Sequence, residues 1–243
     1  MLRIIGALII VTILGCNDND PAVINDQNEI AGVYFGGFVI DGGGSTNIYA
    51  LISDDNNIRL MFFGLAGQAT GQLNAIEDSY GGSLAVYQNH YENVFHAKST
   101  DIQIDANGTD VGINGTWNNS SASGWMFFDK LSDEGQIVIP IQLSSNWELK
   151  MANSSGGIFT LAISVDSQGL ITGSDTTGCT YFGSVVDLNK MGRVIPFNLN
   201  LTTCGVKDGD YDGLMAVISV GMSDKLVMLA SNGAYTFSVE LNR

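Results

Sequence analysis

Carboxylates dominate the reactive side chains of this sequence, with 25 Asp and Glu against 10 Lys and Arg, two His and three Cys. Asp208-Gly209-Asp210-Tyr211-Asp212-Gly213 follows D-x-D-x-D-G, with oxygen ligands at alternate positions and a glycine for the turn, as a calcium loop requires. The twelfth position is Ser219 and not a bidentate Glu, and the flanks read as strand. The segment is therefore read as an acidic turn, with Asp208, Asp210 and Asp212 a weak calcium candidate and no metal assigned. Asp105-Ala106-Asn107-Gly108-Thr109-Asp110 is a fainter case of the same kind. His90 and His96, the only two histidines, would share a face on one strand, yet no Cys or carboxylate cluster completes a metal shell around them. They read as surface residues. No Gly-x-Ser-x-Gly elbow, Ser-x-x-Lys pair, Walker loop or dinucleotide fingerprint occurs, so the chain reads as non-catalytic and without a cofactor.

The N-terminus carries a different kind of chemistry. Met1-Leu2-Arg3 is a short positive region, and Ile4 to Leu14 is an apolar run too short for the roughly 20 residues a membrane span needs. It fits a secretory leader. Ile13-Leu14-Gly15-Cys16 follows directly and resembles a bacterial lipobox. The resemblance implies cleavage after Gly15, so that residues 1–15 are a lipoprotein signal peptide and Cys16 is acylated and anchored in a lipid bilayer. Asn17 to Glu29 is polar, is interrupted by Pro21 and reads as a flexible tether, giving a segment 16–30 between anchor and body. In lipoproteins of the enteric type an Asp after the acylated Cys favours retention in the inner membrane. Asn17 stands there, which points to the outer membrane.

With Cys16 spent on lipid, Cys179 and Cys204 remain as an even pair in an oxidising compartment. A disulfide is the expectation, and two buried free thiols the alternative. The formal net charge of -15 repels phosphate backbones, which excludes nucleic acid as a partner.

From residue 31 onward, short runs rich in Val, Ile, Phe, Tyr and Thr alternate with Gly/Asn/Asp/Ser clusters, an all-β signature. Thirty glycines against three prolines suit tight turns between strands. The clearest unit is a hairpin over Lys225 to Leu241, with Asn232-Gly233 as the central pair of a type I′ turn. Tyr49 onward and Phe159 onward share one pattern of aromatic-led strand, Asp-containing turn, second strand and Gly-rich link. The expectation is two tandem antiparallel meander or barrel-like lobes, at 31–132 and 144–243, with one continuous β-sandwich as the competing architecture. Trp117, Trp125, Trp147 and Phe127-Phe128 gather near the junction and are expected in cores or between the lobes, with a ligand platform as the alternative.

Gly178-Cys179-Thr180-Tyr181-Phe182-Gly183, Thr203-Cys204 and Tyr211-Asp212-Gly213-Leu214 resemble segments of two-part β envelope lipoproteins of proteobacteria. That resemblance implies a fold and a compartment and no activity. The expected function is a lipid-anchored, non-catalytic module that binds another macromolecule through its loops or barrel edge. A lipocalin-like carrier of a small apolar ligand is the second expectation. Empty lumens would favour the carrier, and filled ones the module.

Overall fold

The computed structural model describes residues 30–63, 67–76, 79–92, 94–109, 111–131, 140–152, 156–187, 193–220 and 223–243. Cys16, the leader and most of the tether lie outside the described residues. The described chain is two antiparallel meanders, each returning on itself.

The first lobe is β1 (Gly32–Ile40), β2 (Ser45–Ile52), β3 (Asn57–Phe62), β4 (Gly67–Gln72), β5 (Asn74–Ile76), β6 (Ser79–Glu92), β7 (Phe95–Gly108), β8 (Gly112–Asn118) and β9 (Ser123–Lys130). Neighbours in sequence pair, with β4 and β5 both on β6, and β9 returns to β1 over Tyr34↔Lys130 to Ile40↔Gly124. A short helix (Pro140–Leu143) leads into the second lobe. That lobe is β10 (Ser145–Ala152), β11 (Ile158–Val165), β12 (Leu170–Asp175), β13 (Thr180–Val185), β14 (Ile195–Thr202), β15 (Gly209–Val220), β16 (Ser223–Ser231) and β17 (Tyr235–Asn242). Its neighbours pair in turn, and β17 meets β10 at Glu148↔Asn242. The first ring closes over the seven β1–β9 pairs, whereas among the described residues the second closes through the single Glu148↔Asn242 pair.

Alternation decides what fills each barrel. In β11 the inward set Phe159, Leu161, Ile163 and Val165 is buried, while the outward set is exposed or half-buried. Tyr34, Phe38, Trp117 and Phe128 lie in the first core, and Trp147, Tyr181, Phe197 and Tyr211 in the second. Both lumens are filled by side chains. The third residue of each lobe's first strand is tied in the same way. Tyr34 donates its hydroxyl to the Ile30 carbonyl at 2.8 Å, and Trp147 its indole N–H to the Leu143 carbonyl at 3.0 Å, each four residues upstream. Each bond satisfies a buried aromatic donor while fixing where the chain enters its barrel.

The lobes pack wall to wall. Val33, Tyr49 and Leu51 on β1 and β2 meet Leu214, Ala216, Val227 and Leu229 on β15 and β16 in a third buried cluster. Residues 48–52, 214–218 and 226–230 of these strands read as unbroken apolar runs because both of their faces are covered. The seam is also hydrogen-bonded: the Tyr87 hydroxyl donates to the Gly233 carbonyl at 3.1 Å, and the Ser238 hydroxyl to Gln68 Oε1 at 2.7 Å. The lobes interpenetrate as well. β7 runs past its own barrel and pairs with β17 at Phe95↔Phe237, Thr236↔His96 and Tyr235↔Ala97. That places Val94 and Phe95 in the core of the second lobe.

Cys179 and Cys204 form a disulfide with Cα atoms 4.6 Å apart, joining the chain just before β13 to the chain just after β14. The link spans 25 residues, so on the chain-entropy argument it constrains the unfolded chain by roughly 3 kcal/mol. Paired Cys179→Ala and Cys204→Ala substitution should lower the urea midpoint by that free energy divided by the denaturant slope. An unchanged midpoint would show that the bond does not constrain the unfolded chain.

Three local readings are corrected. The Lys225–Leu241 hairpin forms, but Asn232 and Tyr235 close its loop, by Asn232 N–H to Tyr235 O at 3.0 Å, and Gly233 alone takes positive φ, at 87°. Asn232 Oδ1 accepts the amides of Ala234 and Tyr235, which holds Asn232 as the first of the turn's four residues, ahead of the central pair. The turn is thus of the Gly-first, II′ kind and not I′. Asp105 to Gly108 is strand, the last four residues of β7, and no turn. His90 and His96 lie on different strands, opposite one another in the β6–β7 register, and His96 is buried.

Candidate functional site

The D-x-D-x-D segment does not form a ligand loop. After a 3-10 turn (Gly205–Lys207), the backbone extends from Gly209 as β15, so Asp210 and Asp212 stand two apart on the outer wall. Their carboxylates turn to separate partners. Asp208 Oδ1 accepts the Cys204 amide at 2.6 Å, Asp210 Oδ1 accepts Asn200 Nδ2 at 2.6 Å, and Asp212 pairs with Arg59 of the first lobe. Among the described residues no group of three or more His, Cys, Asp or Glu is gathered for a metal. Arg59 also donates to Thr70 Oγ1. Burial pushes its guanidinium below the usual value, and Asp212 works in the opposite direction. Asp208, Asp210 and Asp212 thus each meet a different partner, and Asp212 is one half of a bridge between the lobes.

Sequence reading placed the mid-chain aromatics in cores or between the lobes, and the structure splits them. Trp117 is interior, stacked on Phe38 at 4.7 Å with its N–H given to the Val39 carbonyl at 2.9 Å. Trp147 and Phe128 are interior too. Trp125 and Phe127 are neither core nor inter-lobe. They alternate with buried Met126 and Phe128 along β9 and so face outward, 48% and 37% exposed.

The outward pair continues into a strip. Trp125 and Phe127 stack with centroids 5.3 Å apart at 30°. Phe127 sits opposite Gly37 on β1 and its ring covers that glycine, where a Cβ would strike the ring tip. Further along the same face, Phe35 lies 5.4 Å from Tyr49 and 6.4 Å from Phe63, both Phe35 and Phe63 being exposed. Asn114 and Thr116 of β8 pair with Phe127 and Trp125, and Asn47 of β2 lies opposite Gly37. Amide and hydroxyl groups thus border the rings, and Asp129, paired with Phe35, is the charged residue of that row. Monomeric proteins seldom leave so many large apolar groups contiguous on a wall without a partner to meet them. The alternation in Trp125-Met126-Phe127-Phe128 was the available signal: when one face fills a lumen, the other must lie outside.

The fold and these walls define a class, the closed double β-barrel with an exterior aromatic face. Comparison with protein-family models, with curated proteins and with solved structures finds no match to the chain.

Proposed function

We propose that the chain is an envelope lipoprotein, held to the bilayer of the outer membrane through acylated Cys16, that acts as a non-catalytic module binding another macromolecule. The supporting observation is the exposed strip of Trp125, Phe127, Phe35 and Phe63 on a barrel whose inside is already full. Exposed Trp and aromatic neighbours are the side chains that carry most binding energy when a partner desolvates them. Filled lumens favour this reading over a carrier of a small apolar ligand. A tether of 13 residues between Cys16 and Ile30 reaches about 45 Å when extended, enough to hold either face of the barrels clear of the headgroups.

Two substitutions test the two halves of the proposal. Cys16→Ser should abolish palmitate labelling and release the protein from the membrane fraction, and persistent labelling would refute the anchor. The detergent-solubilised full chain should retain macromolecules from envelope extracts or host fluids that a Trp125→Ala/Phe127→Ala variant loses. Equal recovery by that variant, with an unchanged melt, would remove the strip from function.

A further inference from the structure

We infer that the outer wall of the second lobe holds a separate binding site for a neutral saccharide, centred on Phe182, Asn200 and Asp210. The inference does not depend on the aromatic strip of the first lobe. An open trough of about 570 Å³ crosses β12 to β15 and is lined by outward side chains of all four strands. That volume lies within the roughly 300–1,000 Å³ of small-ligand sites.

Register sets the chemistry of the trough. Phe182, Asn200 and Asp210 stand opposite one another across β13, β14 and β15, and Ser184, Asn198 and Asp212 form the next row. Neighbouring strands are about 4.8 Å apart, and the two rows about 6.6 Å apart along the strands. Two Asn–Asp pairs thus lie side by side, each offering an amide beside a carboxylate. In the first pair Asn200 Nδ2 already donates to Asp210 Oδ1 at 2.6 Å, which fixes both groups in place. The Asn200 carbonyl oxygen and the other Asp210 oxygen are further acceptors in the same row. Phe182 stands 59% exposed beside them, an uncommon position for a phenylalanine, and Leu170 is exposed at the trough's edge.

A sugar has the complementary surface, with C–H groups for an aromatic ring and vicinal hydroxyls that both donate and accept. Other ligand classes fit less well. Among the described residues, the lining includes the carboxylate of Asp210, which no cation pairs in the trough, and no basic side chain, which disfavours phosphates, sulfated chains and uronates. An extended peptide needs an unpaired strand edge, and the strands β12 to β15 are paired on both sides. A helical peptide needs an apolar groove, and only Phe182 and Leu170 supply exposed apolar area here. The charge of Asp212 is already met by Arg59.

The detergent-solubilised full chain should be applied to an array of glucose, mannose and N-acetylglucosamine oligomers, with hyaluronan and heparin as anionic probes and chitosan oligomers as cationic ones. The expected result is binding to one or more neutral oligomers. Phe182→Ala should weaken it by about tenfold or more, the worth of one good contact, and Asn200→Ala should do the same. Trp125→Ala/Phe127→Ala should leave it unchanged. Both trough residues are at the surface, so melting curves will show folded variants. Failure of every neutral oligomer to bind at millimolar concentration would overturn the inference, as would binding confined to the anionic or chitosan probes. Binding indifferent to both trough substitutions would overturn it too. Neutral-glycan binding lost only with Trp125→Ala/Phe127→Ala would discard the trough while leaving the strip in place as the binding face.

Discussion

Gly36→Ala is expected to cost about 3 kcal/mol or more, while Gly37→Ala, one residue on, costs little. Both glycines lie on β1 opposite β9, at the seam that closes the first barrel, with Gly36↔Phe128 and Gly37↔Phe127 in register. A Cβ on Gly36 would overlap the Phe127 carbonyl oxygen and crowd the Phe128 Cα, which are backbone atoms of the paired strand. Relief requires moving β9 away from β1, and that breaks the ladder. A Cβ on Gly37 would meet only the tip of the Phe127 ring, which can swing aside. Each kcal/mol shifts the melting point of a chain this size by about 2–4 °C, so Gly36→Ala should melt about 10 °C lower or fail to accumulate. Gly37→Ala should melt within a few degrees of the parent but lose binding at the aromatic strip, since its Cβ lifts Phe127 from the wall. Thermal melts of the two variants side by side decide the matter. Comparable melting points would show that the seam has slack the structure does not suggest.

That contrast marks where the sequence stops being legible. The class and the meander were readable because alternation and turn residues are local: Phe159-Thr160-Leu161-Ala162-Ile163 declares a strand with one buried face before any partner is known. The repeated strand pattern after Tyr49 and Phe159 pointed to two lobes, and the paired anchors of Tyr34 and Trp147 add a likeness that spacing alone did not reveal. The disulfide followed from counting cysteines. Hidden were the features that depend on what the other lobe does. A strand such as Leu214 to Val220 looks the same whether its second face meets solvent or a neighbouring wall, so the interface was invisible. The excursion of Phe95 into the second core is a long-range event with no local signature. The acidic motif misled in the opposite direction, because D-x-D-x-D read as a loop is also an alternating strand that puts Asp210 and Asp212 on one wall. Trp125 and Phe127 were expected in cores or between the lobes from their place near the junction. Once their alternating neighbours Met126 and Phe128 fill the lumen, the two rings have only the outside left.

Alkaline unfolding should be steep, because three tyrosines are buried as neutral phenols. Burial is the main reason that Tyr34, Tyr211 and Tyr49 each titrate above the usual tyrosine value. Tyr80 adds to this for Tyr34, Tyr235 and Asp208 for Tyr211, and Glu240 for Tyr49, while Arg193 and Lys225 pull Tyr34 and Tyr49 back. Two of the hydroxyls also donate to backbone, Tyr34 to the Ile30 carbonyl at 2.8 Å and Tyr211 to the Lys207 carbonyl at 3.0 Å, bonds that a phenolate cannot make. The unfolded chain releases these protons near pH 10, while the folded chain keeps them. Between those values the folded state binds more protons than the unfolded one, so stability falls as pH rises. It is fully present below about pH 10. The loss approaches about 1.4 kcal/mol per pH unit for each of Tyr34 and Tyr211, or about 3 for the two, with a smaller contribution of the same sign from Tyr49, against the 5–15 kcal/mol of a typical domain. Lys225, raised by its hydrogen bond to Glu240, contributes with the same sign. Urea midpoints should therefore hold level from pH 7 to 9 and drop sharply above about pH 10. Tyr34→Phe should cost about 1 kcal/mol at neutral pH, through the lost hydrogen bond, yet flatten the alkaline slope. Tyr211→Phe should do the same from the second lobe. A midpoint that stays level through pH 11, or a slope unaltered in both phenylalanine variants, would mean that these phenols ionise without unfolding the barrels that bury them.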